Sequence, residues 1–370
     1  MRKMFRQPGW LIVILMVCGV AFAADQRKVR RAAKVRSGPG VYYPIVERLD
    51  KGSQLQVLDK GKRWVKVKTK DGKQGWVSRK AFDEPPPPRG YGKVLSEAGL
   101  SGASTTVETM AARGMSGTGA GGAMDQMVME FLQGAPFRPE GFGDFLADLK
   151  PCSCKQLLSK KGVPRPVESD PRNYELERKL GLALTSRVLA EKKLITDAKV
   201  DDYVNKVGMA VALHSSRYDL SWRFVVFEEK QPRVLAIPGG FVMISDGLLK
   251  KLKDESELAG VLGGAIAHIL LDHGAKELKS ALKDKPDQLI AEAHRLLNKD
   301  RPLKQLIAAD ALGTVLCTCA GYDPTALTRV IPRTDPKAKL RTARLLKLIK
   351  SAKLKGGKKL KTRFEKIASL

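Results

Sequence analysis

The stretch from Leu258 to Leu278, LAGVLGGAIAHILLDHGAKEL, constrains this 370-residue chain more than any other. Leu258, Val261, Leu262, Ala265, Ile266 and Ile269 recur at helical spacing, with Asp254 and Ser256 ahead of them as N-cap residues, so the stretch reads as a buried amphipathic helix. Gly263 and Gly264 each cost about 1 kcal/mol against alanine inside a helix, which predicts a neighbouring backbone packed closely on them. His268 reads as a hydrogen-bonded core histidine. His273 follows five residues later, and a continuing helix would rotate it well off the face of His268.

Charge and cysteines set the surroundings of that helix. The net charge is +28 and the isoelectric point about 9.9, a balance that speaks to anionic partners and solubility rather than to fold. Residues 1–23 read as an export signal: Arg2, Lys3 and Arg6 form a basic start, Trp10 to Val20 an apolar run, and Ala21-Phe22-Ala23 a cleavage site. The apolar run is shorter than the roughly 20 residues needed to span a bilayer. Export puts Cys152, Cys154, Cys317 and Cys319 in an oxidising compartment. Two C-x-C pairs there favour disulfides between the two segments, ahead of free thiols and of a four-thiolate metal site.

Residues 29–82 alternate apolar and polar at Leu55, Val57, Trp64, Val65 and Val67, and break at Gly38-Pro39, Lys51-Gly52 and Asp71-Gly72, the pattern of a small β-barrel. Val35-Arg36-Ser37-Gly38-Pro39, Gly52, Trp64 and Gly75-Trp76-Val77-Ser78 resemble a bacterial SH3-like domain over nearly its whole length. The resemblance implies a tether to cell wall or peptide, with Trp64, Trp76, Tyr42 and Tyr43 as the candidate ligand surface. Residues 83–170 read as a linker, opened by Pro85-Pro86-Pro87-Pro88 and rich in Gly, Ala, Ser and Thr from Gly99 to Gly122.

A second domain spans 173–345. Leu176, Leu180, Leu184 and Val188 mark one amphipathic helix, and Tyr203, Val207 and Val211 mark another over Val200 to Ala212. Strands are expected at Trp222 to Phe227 and Phe241 to Ile244. The blocks DDYVNKVGMAVA, SSRYDLSWRFVVF, AIPGGFVMISDGLL and ELAGVLGGAIAH resemble, in order and spacing, zinc metalloendopeptidases of the HtpX and CAAX-prenyl-protease type. Their active-site helix reads H-E-x-x-H, in which two histidines chelate zinc and the glutamate serves as general base. Here the first histidine position is Gly264, the glutamate position is Ala265, and His268 is the one inherited ligand. The family's third ligand, a glutamate on a later helix, falls on Leu306. Ala308 stands at another acidic position, while Asp310, whose counterpart orients the first histidine, is retained. The family's His-Pro pair is Asp335-Pro336, followed by a matching Arg341.

The expectation is therefore an α+β chain of two domains, a small SH3-like β-barrel and a mainly helical gluzincin-type metallopeptidase fold with a small β-sheet. It is read as an exported protein of the bacterial periplasm or envelope that binds a peptide or protein partner. Catalysis and zinc are expected to be lost and no cofactor is expected. The alternative is an active zinc metalloendopeptidase of envelope protein quality control, using replacement ligands such as His214, His294 or the cysteines. Residues 346–370 read as a basic tail. From Lys337 onward thirteen Lys and Arg face the single acid Glu365, and Leu345, Leu348, Ile349 and Ala352 form an apolar stripe. Such a tail suits anionic phospholipid or wall polymers. Nucleic acid fits the charge but not the compartment.

Overall fold

The computed structural model describes residues 25–84, 90–97, 130–167, 174–282, 288–332 and 335–368. The export signal and the Gly99 to Gly122 stretch lie outside these residues. Strands β1 (Gln26–Lys28), β2 (Ala33–Arg36), β3 (Ile45–Leu49), β4 (Gln54–Lys60), β5 (Trp64–Lys68) and β6 (Gln74–Ser78) form one antiparallel sheet in the order β1-β4-β5-β6-β2-β3. Side chains alternate across each strand. Val65, Val67 and Val77 thus point into a core shared with Val35 and Leu55, while Trp64 points the other way, toward the rest of the chain. The β5–β6 turn needs Gly72, whose φ of 79° an L side chain would resist.

Helices α1 (Gly90–Glu97), α2 (Phe142–Ala147) and α3 (Cys154–Leu158) precede the long pair α4 (Tyr174–Glu191) and α5 (Ala198–Ala212). The apolar residues expected to face inward on that pair are buried, from Leu176 to Val188 and from Tyr203 to Val211. A three-stranded sheet follows: β7 (Arg223–Phe227) lies parallel to β9 (Phe241–Ser245), and β8 (Val234–Ile237) pairs antiparallel on its other side. The Asn205 amide clamps α5 to this sheet, donating to the Phe224 carbonyl at 2.8 Å and accepting from its N–H at 3.0 Å. Then come α6 (Asp246–Leu249), α7 (Glu255–Leu270), α8 (Ala275–Leu282), α9 (Leu289–Leu297), α10 (Leu303–Ala320), α11 (Ala326–Val330), α12 (Ala338–Ser351) and α13 (Lys361–Ala368). By length and hydropathy α10 is apolar enough to cross a membrane, yet two-thirds of it is buried against protein, chiefly against α7.

Two expectations are corrected here. The described parts of 83–170 are folded rather than linker: Phe137, Phe142 and Leu149 belong to the main core, and the Val167 N–H donates to the carbonyl of Leu270 at the end of α7. Aromatic anchors spaced through a Gly- and Pro-rich segment have no single period, so periodicity does not reveal them. The basic tail is packed over its described residues, 346–368, beyond the apolar stripe as well as along it. Phe364 is 2% exposed, Arg363 pairs with the buried Glu255, and Leu345 and Leu348 seat α12 on α10.

Candidate functional site

Asp254 caps α7 by accepting from the Glu257 N–H at 3.0 Å, and Arg329 from α11 reaches both side chains. The helix thus enters the core with its acidic first turn satisfied, where carboxylates favour the positive end of the helix dipole. It delivers Gly263, Gly264, Ala265 and His268 to the crossing with α10. Gly263 meets the backbone of Gly313: a Cβ on Gly263 would lie 3.0 Å from the Gly313 oxygen, and one on Gly313 would lie 2.7 Å from the Gly263 carbon and the Gly264 nitrogen. The expected close backbone is therefore there for Gly263. For Gly264 it is not, since a Cβ there meets nothing within 4 Å.

The two glycines should respond oppositely to alanine. Gly313→Ala gains about 1 kcal/mol of helix propensity but forces two backbones apart, and overpacking of this kind costs about 1–3 kcal/mol. Gly264→Ala keeps the gain with no clash. Urea midpoints should fall for the first and rise for the second; a rise for both would mean the crossing is looser than drawn.

His273 corrects the helical projection. Helix α7 stops at Leu270, and the turn through Asp272 (φ 49°) and Gly274 (φ 99°) swings His273 back over the helix end. Its Nδ1 lies 2.9 Å from Nδ1 of His268, so one ring donates and the other accepts. Burial, with a contribution from Arg301, pushes His273 down to about 4 and His268 well below its usual range, so both rings are neutral at physiological pH. Gly274, a positive-φ residue that ends helices, was the available signal that His273 leaves the helix.

The remaining inherited positions face one another. Asp310 on α10 is buried and accepts from Nε and Nη2 of Arg341, both at 2.9 Å, and Arg341 also donates to Asp335 at 3.1 Å. Burial pushes the Asp310 carboxyl up while Arg341 opposes that shift. Ala265 is buried and Leu306, one turn before Asp310, offers no donor atom. The other candidate ligands sit apart. His214 places Nδ1 3.4 Å from the Cys154 sulfur, and His294 stands 3.8 Å from Glu191. Among the described residues no three His, Cys, Asp or Glu side chains are grouped to hold a metal. A zinc at His268 would find two imidazoles, with their Nδ1 atoms engaged by each other, where a catalytic site needs three protein ligands. These residues do not fit that ion.

The cysteines form one inter-segment disulfide, Cys154 to Cys319, in place of the two expected. Residues two apart on a helix point about 200° away from each other, so Cys317 and Cys319 cannot both face the Cys152–Cys154 segment. Cys317 instead turns toward α7, donating to the Ala259 carbonyl at 3.0 Å, and Cys152 stays exposed as a thiol.

The expected ligand surface of the β-barrel is also corrected. Trp64 is 8% exposed and meets the Tyr218 ring edge-on at 6.2 Å, and Tyr42 stacks on Phe137 at 5.4 Å. Tyr43 lies against Tyr42, and Trp76 is partly buried on the same core. Lys80 pairs with Asp219 at 3.1 Å, and Arg63 donates to the Leu213 carbonyl beside it. The barrel has spent this aromatic face on its own chain.

Comparison with known proteins agrees with this architecture. Residues 31–82 match the bacterial SH3 domain, and residues 196–298 match peptidase family M48. The mitochondrial metalloendopeptidase OMA1 of Schizosaccharomyces pombe is 31% identical over 36% of this chain and 43% of its own. The putative beta-barrel assembly-enhancing protease of Vibrio cholerae is 26% identical over 28% of this chain and 22% of its own. The beta-barrel assembly-enhancing protease of Escherichia coli K12 is 24% identical over 30% and 23%. The chain spans less than half the length of each of these relatives. An SH3-like sheet, a helical region with a small sheet and these two matches together place in one chain a bacterial SH3 domain and a domain of peptidase family M48.

Proposed function

We propose that this is an envelope protein whose M48-type domain binds a peptide or protein partner without zinc and without cleaving it. One observation carries the reading: at the end of α7 the donor set is His268 with His273, while positions 264, 265 and 306 hold Gly, Ala and Leu. Without a held metal there is no activated water, and without a carboxylate at 265 no base to use it. Asp310 has been taken over by Arg341, so the carboxylate that would orient a first histidine serves an ion pair. The bacterial SH3 domain and the relatives named for β-barrel assembly support an envelope setting and a protein partner.

Zinc analysis and a cleavage assay on an unfolded protein test this together. The expected result is substoichiometric zinc and no chelator-sensitive cleavage; stoichiometric zinc with chelator-sensitive cleavage would overturn it. Gly264→His, Ala265→Glu and Leu306→Glu combined should restore stoichiometric zinc, because the space over Gly264 admits a side chain. Absence of any gain in zinc affinity in a folded triple variant would count against the alignment of these positions.

A further inference from the structure

Helices α10 and α12 enclose a cleft of about 760 Å³, lined in part by the Asp310–Arg341 pair. That volume is in the range of ligand-binding pockets, roughly 300–1,000 Å³. Its apolar lining includes Ile307, Leu340 and Leu348, with Leu340 43% exposed. Four cations stand around it: Lys304 on α10, Arg344 and Lys347 on α12, and Lys161 on the segment that crosses beside Leu348. All four are exposed, and among the described residues none has a carboxylate partner. The one acid in the lining, Asp310, is already neutralised by Arg341.

We propose that this cleft docks an acidic, amphipathic peptide segment of a partner protein, apolar side chains inward and carboxylates on the rim. The distribution of charge favours a peptide over a lipid. At about 1.5 Å per residue, Lys304 lies about 9 Å along α10 from Asp310, and Lys347 about 9 Å along α12 from Arg341. A single acyl chain with one anionic headgroup would use cations at one end only, whereas a peptide can place a carboxylate against each. Apolar anchors laid in a groove with a complementary charged rim are a common mode of peptide recognition. This docking rests on the peptide-binding reading above, and because it is read by binding while zinc content and cleavage are measured separately, its failure would leave the loss of zinc and catalysis standing.

The test is fluorescence anisotropy on the mature full chain with a short labelled peptide of Glu and Leu arranged amphipathically. Three comparisons accompany it: the same peptide with Lys for Glu, a scrambled sequence that breaks the apolar face, and phosphatidylglycerol vesicles as competitor. The acidic amphipathic peptide should bind, and the Arg344→Glu and Lys347→Glu double variant should weaken it on the order of tenfold while gaining affinity for the Lys peptide. Lys304→Glu, on the opposite wall, gives a second reading should the double variant lose thermal stability. Equal binding to wild type and both variants, equal binding of the scrambled peptide, or displacement by the vesicles would overturn the proposal.

Discussion

Arg363→Ala should lower the unfolding free energy by about 3–5 kcal/mol, the cost of leaving a buried charge without its partner. The partner is Glu255, the first residue of α7, whose side chain is fully buried. Its carboxylate accepts from Tyr203 at 2.6 Å, from Tyr322 at 2.8 Å and from both Nε and Nη2 of Arg363. Burial and the adjacent carboxylate push both phenols upward, which favours the protonated, donating form toward Glu255. Arg363 also lies over the Phe145 ring at 3.9 Å and pairs with Asp148, tying the 130–167 segment to the same point. Denaturant melts should show the loss, and the double variant Arg363→Met, Glu255→Gln should recover most of it, since no charge is then buried. A loss below about 1 kcal/mol for Arg363→Ala would mean that the phenols and the helix terminus suffice for Glu255. The same geometry means that truncation after Leu354 removes Arg363 and Phe364 and unsettles the core. Any surface affinity of the basic C-terminus is better tested by charge reversal at exposed lysines such as Lys359 and Lys366.

Legibility in the sequence followed the physics that produced each signal. Helix α7 is buried on nearly every face, yet Leu258, Val261, Leu262, Ile266 and Ile269 still recur at helical spacing, as do the apolar positions of α4 and α5, so periodicity places all three, and Asp254 announces its own cap. Strand β8 escaped because Val234 to Ile237 is only four residues long, too short for alternation to stand out. The loss of donors at Gly264, Ala265 and Leu306 is visible residue by residue, because a ligand position is a question of side-chain chemistry. The pairing of His268 with His273 is not, because it depends on where a helix stops. Docking of the β-barrel was equally hidden: Trp64 and Tyr42 are apolar and exposed on an isolated barrel whether they await a ligand or their own domain. The 130–167 segment contributes scattered aromatics whose value appears only when α10 and α13 arrive from far along the chain.

Breaking the Cys154–Cys319 bond by Cys154→Ala should cost about 2–5 kcal/mol, because the bond closes a loop of 165 residues and restricts the unfolded chain heavily. The bond joins α3 to the end of α10, next to the backbone link from the Cys152 N–H to the Cys319 carbonyl at 2.9 Å, so the folded geometry is held from two sides. Cys317 should give a different signature. Its thiol is buried beneath α7, burial pushes its pKa upward, and it touches the space that a Cβ on Gly263 would need. Under non-reducing, native conditions Cys152 should alkylate at once and Cys317 only after unfolding, and the intact mass should fall short of the reduced mass by two hydrogens. Peptide mapping should then link the Cys154 and Cys319 peptides. A shortfall of four hydrogens would require Cys317 to leave its contact with Ala259, and so the α7–α10 crossing to open. Recovery of all four as thiols from an oxidising preparation would remove the bond and with it the predicted loss in Cys154→Ala. Cys152→Ala is the control, since its exposed thiol carries no covalent link and should leave the melting curve in place.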